Sequence, residues 1–295
     1  MSHKRKAEFY LLLITAIWGL TFPLVGSAVK SITPMYFVAA RFALAAFIML
    51  PFTWRDLKNT TSTVLKYGLL IGTVNFGCYL FQGIGLQTLG SAESAFITSI
   101  TVVIVPLILL LFHYHKPHFI EGISAIICLT GLYILTGANI TAINRGEIFT
   151  LLCAVCCAFS IIFTEKATRK IINIKLLVFF QIVFTAVFAI PVNIATRGVF
   201  IFNKQTIFAL LYCAIFATLI VFYLQAKYQK QTSASKAALI FCAEPIFAVL
   251  YSWIFFSENA PLNTLIGGII IVASIALPDV LKLDFFRSNK ITATE

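Results

Sequence analysis

The sequence predicts an all-α polytopic membrane protein, with ten transmembrane helices in two inverted five-helix repeats. Three observations carry that prediction. Of 295 residues, 60% are hydrophobic and only 11% charged, more apolar surface than one or two soluble cores could hide. Apolar runs near the length of about 20 residues needed to cross a bilayer recur between polar or Gly/Pro breaks. The chain also resembles itself at an offset of 139 to 143 positions.

Taken in order, the runs fall at Phe9–Val29, Pro34–Thr53, Val64–Leu89, Ser94–Phe112, Phe119–Gly137, Glu147–Thr164, Lys175–Thr196, Gln205–Ala226, Lys236–Ser257 and Pro261–Leu281. The first follows "KRK", as a secretory leader would. It is too long for one, and no small-x-small cleavage site precedes Lys30, so it reads as an uncleaved helix. Pro23 in the first run, Pro106 in the fourth and Pro245 in the ninth each remove a backbone hydrogen bond and are expected to kink their helices. Gly68-x-x-x-Gly72 in the third and Gly267-Gly268 in the tenth permit close backbone contact, the main source of helix association in lipid. Seven cysteines all fall within runs, where they behave as small apolar residues. Cys153-x-x-Cys156 has neither a second pair nor a nearby histidine, so no metal site and no cofactor are expected. Asn139-Ile140-Thr141 matches a glycosylation sequon.

Charge sets the expected topology. When alternate loops are assigned to opposite sides, 17 of the 22 Lys and Arg residues collect on one side. The other side has Lys30, Arg145, Arg197 and Lys204, and Arg41 lies within the second run. Positive loops resist translocation, so both termini are expected in the cytoplasm. The net charge of +11 thus reflects topology and does not point to a nucleic-acid partner.

The repeat aligns "EFYLLLITAIWG" from Glu8 with "EIFTLLCAVCCA" from Glu147, and "RFALAAFIMLP" from Arg41 with "QIVFTAVFAIP" from Gln181. "SAESAFI" from Ser91 meets "SASKAAL" from Ser233, and Pro106 meets Pro245. This divides the chain into residues 1–138, residues 139–282 and a cytoplasmic tail, 283–295. Five helices per half is an odd number, so the second copy enters the membrane from the opposite side. Secondary transporters use that inverted repeat to expose one site alternately to two faces.

The motifs "WGLTFP" (Trp18–Pro23), "GLQTLGSAESAFITSITVVIVPL" (Gly85–Leu107), "GEIFTLLCAVCCAFSIIF" (Gly146–Phe163) and "SKAALIFCAEPIFAVLYSWIFFSE" (Ser235–Glu258) resemble the drug/metabolite transporter superfamily. Within it they are similar to the EamA-type transporters over nearly the whole chain. One departure is "HYHKPH" (His113–His118), where such proteins often carry a Gly-Glu pair that Ser257-Glu258 retains in part. The resemblance implies a multi-pass protein of the bacterial inner membrane that moves amino acids, amines or other small metabolites, usually outward.

Two charges lie deep. An isolated charge at mid-membrane costs about 2.5–3.5 kcal/mol on insertion scales, so Arg41 and Glu244 each need a partner or a wet cavity. They are expected to act as a coupling or charge pair. Burial disfavours a charged carboxylate, so Glu244 is expected to hold a proton for part of a transport cycle. Asn75 and Gln82 would leave amide groups unpaired in lipid and are therefore expected in a cavity. Trp18, Tyr79, Phe163 and Tyr223 lie in runs that the resemblance places around that cavity, completing the expected substrate-binding set. Thr98 and Ser160 are expected to bond to their own helix backbones.

The favoured function is a secondary transporter that exports a small polar or aromatic metabolite, an amino acid or amine, by alternating access, with the lipid bilayer and a small-molecule substrate as its partners and a proton as the candidate coupling ion. A passive facilitator or pore, and an uptake carrier for a host-derived metabolite, are the alternatives. An intramembrane enzyme is disfavoured, because His3, His113, His115 and His118 all lie at the membrane edge and no catalytic cluster lies at depth. A dianionic sugar phosphate would need several deep basic residues, and Arg41 stands alone.

Overall fold

The computed structural model describes residues 3–112, 119–136, 144–195, 197, 199, 201, 203–256 and 262–291, and every regular element among them is helical. The sequon at 139–141, the "HYHKPH" segment and Ser257-Glu258 lie outside the described residues.

Eight helical stretches are long and apolar enough to cross a membrane: Arg5–Ala28, Pro34–Asn59, Ser62–Gly85, Ser91–Leu111, Arg145–Lys170, Ile174–Ala195, Lys204–Gln229 and Ala234–Phe255. Two shorter apolar helices, Phe119–Leu135 and Leu265–Pro278, hold the fifth and tenth positions. The protein is therefore an all-α polytopic membrane protein.

The helices begin where the chain supplies caps. Thr33 precedes α3 (Pro34–Thr53), whose Pro34 stands where no N–H is needed. Thr61 caps α4 (Ser62–Gly85) by accepting from the Val64 amide. Asn144 and Glu147 form a reciprocal capping box on α8 (Arg145–Lys170). Asn203 and Ser233 cap α10 (Lys204–Ala214) and α12 (Ala234–Phe241) by accepting from the Thr206 and Lys236 amides.

Three spans are interrupted. The first divides at Leu20 into α1 (His3–Gly19) and α2 (Thr21–Ala28). The fourth divides at Ile100 into α5 (Ser91–Ser99) and α6 (Thr101–Leu111). The ninth divides at Cys242–Ala243 into α12 and α13 (Glu244–Phe256). Between α10 and α11 (Val221–Gln229), a π-helical stretch spans Ile215–Ile220.

Two of the expected proline kinks fall at these breaks and the third does not, since Pro23 and Pro245 lack the N–H that would bond back across the first and ninth interruptions. Pro23 and Pro245 fall in the first turn of the helix after a break, where a missing N–H costs nothing. Pro106 lies inside α6, and the interruption in that span stands at Ile100 instead.

The remaining spans are α7 (Phe119–Thr136), α9 (Ile174–Ala195) and α14 (Leu262–Ile291). Helix α14 continues to Ile291, so the stretch expected as a tail from residue 283 begins as helix.

The packing of the two halves is interchangeable. The contact of α4 with α8 has its counterpart in α11 with α1, and that of α6 with α8 in α13 with α1. Helix α7 lies along α14, and a Cβ at Gly267 would strike the Gly131 carbonyl. Gly68 and Gly72 let α4 lie against α9, since a Cβ at either would come within 2.6 Å of Phe180 or Phe184 Cβ.

Candidate functional site

The three interruptions meet in the centre of the molecule. Cys242 at the ninth-span break donates to the Ser99 carbonyl at the fourth-span break, across 3.6 Å. Gly19, where α1 ends, abuts the start of α13: a Cβ there would stand 2.5 Å from Phe247 Cβ and 3.1 Å from the Glu244 carbonyl. Only a glycine lets the two broken helices approach this closely.

Around these breaks lies a cavity of about 80 Å³, lined among others by Trp18, Asn75, Tyr79, Gln82, Gln225 and Glu244. A single water needs about 10–15 Å³ of such space, so the cavity admits several waters or a small solute. Helices α2, α6 and α13 all start at its wall, with Thr21, Thr101 and Glu244 as cavity residues. Helix starts favour negative charge. Glu244 is only partly buried, and among the described residues no side chain hydrogen-bonds or ion-pairs with its carboxylate.

Four of the six expected binding residues, Trp18, Asn75, Tyr79 and Gln82, come together at this cavity. Phe163 and Tyr223 do not. Phe163 packs beside Phe159 and against the cluster built on Val64, Ile71 and Leu177. Tyr223 instead lines a separate groove with Met49, Phe52 and Lys175. Depth along a helix follows from sequence position, but the face a residue presents turns by about 100° per residue, and these two present other faces.

The expected charge pair is also corrected. Arg41 is 2% exposed, and it donates from Nε to Thr218 Oγ1 at 2.8 Å and from Nη2 to the Ala217 carbonyl at 3.1 Å. Its guanidinium lies 4.3 Å from the centre of the Tyr79 ring. Trp18 Nε1 donates to the same Ala217 carbonyl at 3.1 Å. The π-helical turn explains the choice of acceptor, because widened backbone bonding presents carbonyls to neighbours. Arg41 thus ties the second span to the eighth and forms no ion pair with Glu244.

Hydroxyl expectations divide. Thr98 bonds to its own helix at the Ser94 carbonyl. Ser160, by contrast, donates across helices to Asn75 Oδ1 at 2.7 Å, fixing that amide at the cavity wall.

The sequence reading missed a polar cluster at the start of α12. Glu165 and Glu121 are both buried. Glu165 accepts from the Ala234 amide at 3.3 Å and from Arg169 at 2.6 Å, while Glu121 accepts from Ser233 at 3.2 Å. Two acids near a capped helix start were visible signals, but their run-end positions read as solvated.

The EamA-like transporter family model matches residues 5–137 and 144–277, one copy in each half. An uncharacterized transporter of Archaeoglobus fulgidus is 31% identical over 271 residues, covering 92% of this chain and 85% of its own. The uncharacterized transporter YdfC of Bacillus subtilis is 21% identical over 293 residues, covering 96% of this chain and 92% of its own. A solved crystal structure shares the fold at a TM-score of 0.74 and 16% identity, over 94% of this chain and 98% of that one. The interrupted spans around a central polar cavity, the repeated architecture and these matches together make the chain a member of the EamA-like transporter family.

Proposed function

We propose that the protein is a proton-coupled secondary transporter that exports a small amine or amino acid by alternating access, from an inner membrane with both termini in the cytoplasm. The observation that carries this reading is Glu244, a carboxylate facing the central cavity with no partner among the described residues. A lone acid at membrane depth is expensive unless something occupies it. A proton and a substrate ammonium group both meet that need, and competition between them couples one flux to the other. The starts of α2 and α6 offer backbone N–H groups to a substrate carboxylate, which favours an amino acid over a simple amine. Trp18 and Tyr79 supply ring faces suited to a cation or an apolar side chain. At the start of α12, Glu121 and Glu165 hold Ser233 and the Ala234 amide, contacts suited to a helix end that opens and closes in alternating access.

The test is a screen of vesicles containing the reconstituted protein with labelled amino acids and primary amines, with and without a pH gradient. A substrate driven beyond its equilibrium distribution by the gradient supports the proposal. Flux that only equilibrates the substrate favours the passive facilitator. Net movement toward the side of the termini favours uptake.

A further inference from the structure

The cavity wall also carries a cluster of thiols that transport of an amine does not use. Cys78 on α4 and Cys153 and Cys157 on α8 bring their sulfurs together, and all three are free. The separations are 3.7 Å for Cys78–Cys153, 3.9 Å for Cys153–Cys157 and 2.7 Å for Cys78–Cys157. Helical geometry explains the partners: Cys153 and Cys157 are four apart and share a face, whereas Cys156 turns away, its sulfur 3.0 Å from where a Cβ on Gly77 would stand.

We infer that these three thiols form a binding site for one soft, thiophilic d10 metal cation. Sulfurs about 2.3 Å from a metal stand about 3.8 Å apart at tetrahedral angles and about 4.0 Å apart in a trigonal plane. Two of the three separations already match. The third requires Cys157 to swing outward by about 1 Å to reach the ligand spacing. Cys157 has the room, since it is partly exposed and faces the cavity, whereas Cys153 is fully buried and anchors the cluster.

The ligand class follows from the donors. Thiolates select soft cations over magnesium or calcium, and each ligating thiol releases its proton on binding. Three thiolates around a divalent cation leave one net negative charge, less than three separate thiolates would bring into this interior. Cys78 and Cys157 also line the central cavity, so a cation inside that cavity meets two of the three sulfurs. Binding would clamp α4 to α8. The site does not depend on the identity of the transported solute.

The test uses the reduced, full-length protein in detergent, titrated with Cd²⁺. Thiolate-to-cadmium absorption in the near ultraviolet is expected to saturate at one equivalent. Cys78→Ser, Cys153→Ser and Cys157→Ser should each weaken binding at least tenfold, while Cys156→Ser and Cys213→Ser leave it unchanged. Cd²⁺ should also protect Cys157 of the unaltered protein from maleimide, a readout that needs no variant to fold. Absence of the absorption band, equal loss in Cys156→Ser, or unprotected labelling of Cys157 would overturn the inference. So would mass spectrometry showing Cys78 and Cys157 joined as a disulfide in the protein as isolated.

Discussion

The fourth and ninth spans occupy equivalent places in the two repeats and differ in what they bring to the cavity. Each is interrupted, at Ile100 in one and at Cys242–Ala243 in the other, and aligning Ser91 with Ser233 puts these breaks in the same register. Beyond the break the fourth span continues with Thr101 and reaches Val105, whereas the ninth restarts directly on Glu244. Ser99 and Thr101 of the fourth offer hydroxyls, and Thr101 already donates to the Thr98 and Ala154 carbonyls. Glu244 offers a carboxylate with its hydrogen-bonding capacity open. The repeat thus supplies the shared geometry of two helix starts at a cavity, and single unpaired residues supply its chemistry. A carboxylate present in one copy alone keeps the desolvation cost to a single deep charge.

The comparison breaks most completely if the broken spans are forced apart. Gly19→Leu places a side chain where even a Cβ would lie 2.5 Å from Phe247 and 3.0 Å from the Ala248 amide. Loss of monodisperse protein on size exclusion is expected. The milder Gly19→Ala should lower stability by about 1–3 kcal/mol, read as a reduced Tm in detergent. A protein that accepts leucine there without change would show that the convergence of the breaks is loose.

Next in size is Arg41→Leu, which removes two hydrogen bonds from a cation to the π-helical turn. A loss of about 1.5–3 kcal/mol is expected, again in Tm. Arg41→Lys should recover only part of it, since the two acceptors are met by two different guanidinium nitrogens while the planar group lies beside the Tyr79 ring, a geometry that a compact ammonium lacks. An unchanged Tm in Arg41→Leu would return this residue to a functional role.

A smaller effect is expected at the other end of the ninth span. Glu165→Ala frees the Ala234 amide, and the start of α12 should exchange its hydrogens faster by roughly tenfold, corresponding to about 1.4 kcal/mol. Unaltered exchange there would show that Glu165 does not hold the start of α12. The smallest change is expected from Phe163→Ala and Tyr223→Ala. Their transport should stay within about twofold of the unaltered protein, since their side chains are absent from the cavity lining, whereas Gln82→Ala loses more. Equal loss in all three would mean that the cavity enlarges to reach Phe163 and Tyr223 in another state.

These cases show what a linear pattern carries. Run length and hydropathy reveal spans, because the bilayer's thickness demands them, and the odd number of helices per repeat follows from the same count. Asn75 and Gln82 were legible because buried amides are costly wherever they point in lipid. Phe163 and Tyr223 were not, because an aromatic ring packs equally well against helices or a ligand. The position of one break was hidden too. Pro245 and Pro23 each mark a break to within two or three residues, but Ile100 is an ordinary helix former six residues before Pro106, and the interruption there depends on tertiary contacts. The thiol cluster joins residues 78 and 157, far apart in sequence, which no local spacing announces.

In the proposed mechanism Glu244 is the one group for which proton and substrate compete. That competition is tested most directly by Glu244→Gln in vesicles, assayed for substrate movement with and without a pH gradient. The variant keeps the side chain's size and most of its hydrogen bonding but cannot ionise. It should be as abundant and as monodisperse as the unaltered protein, and it should show no acceleration of transport by the gradient. Full, gradient-driven transport by Glu244→Gln would contradict the account and leave Glu244 as a polar residue at the start of a helix.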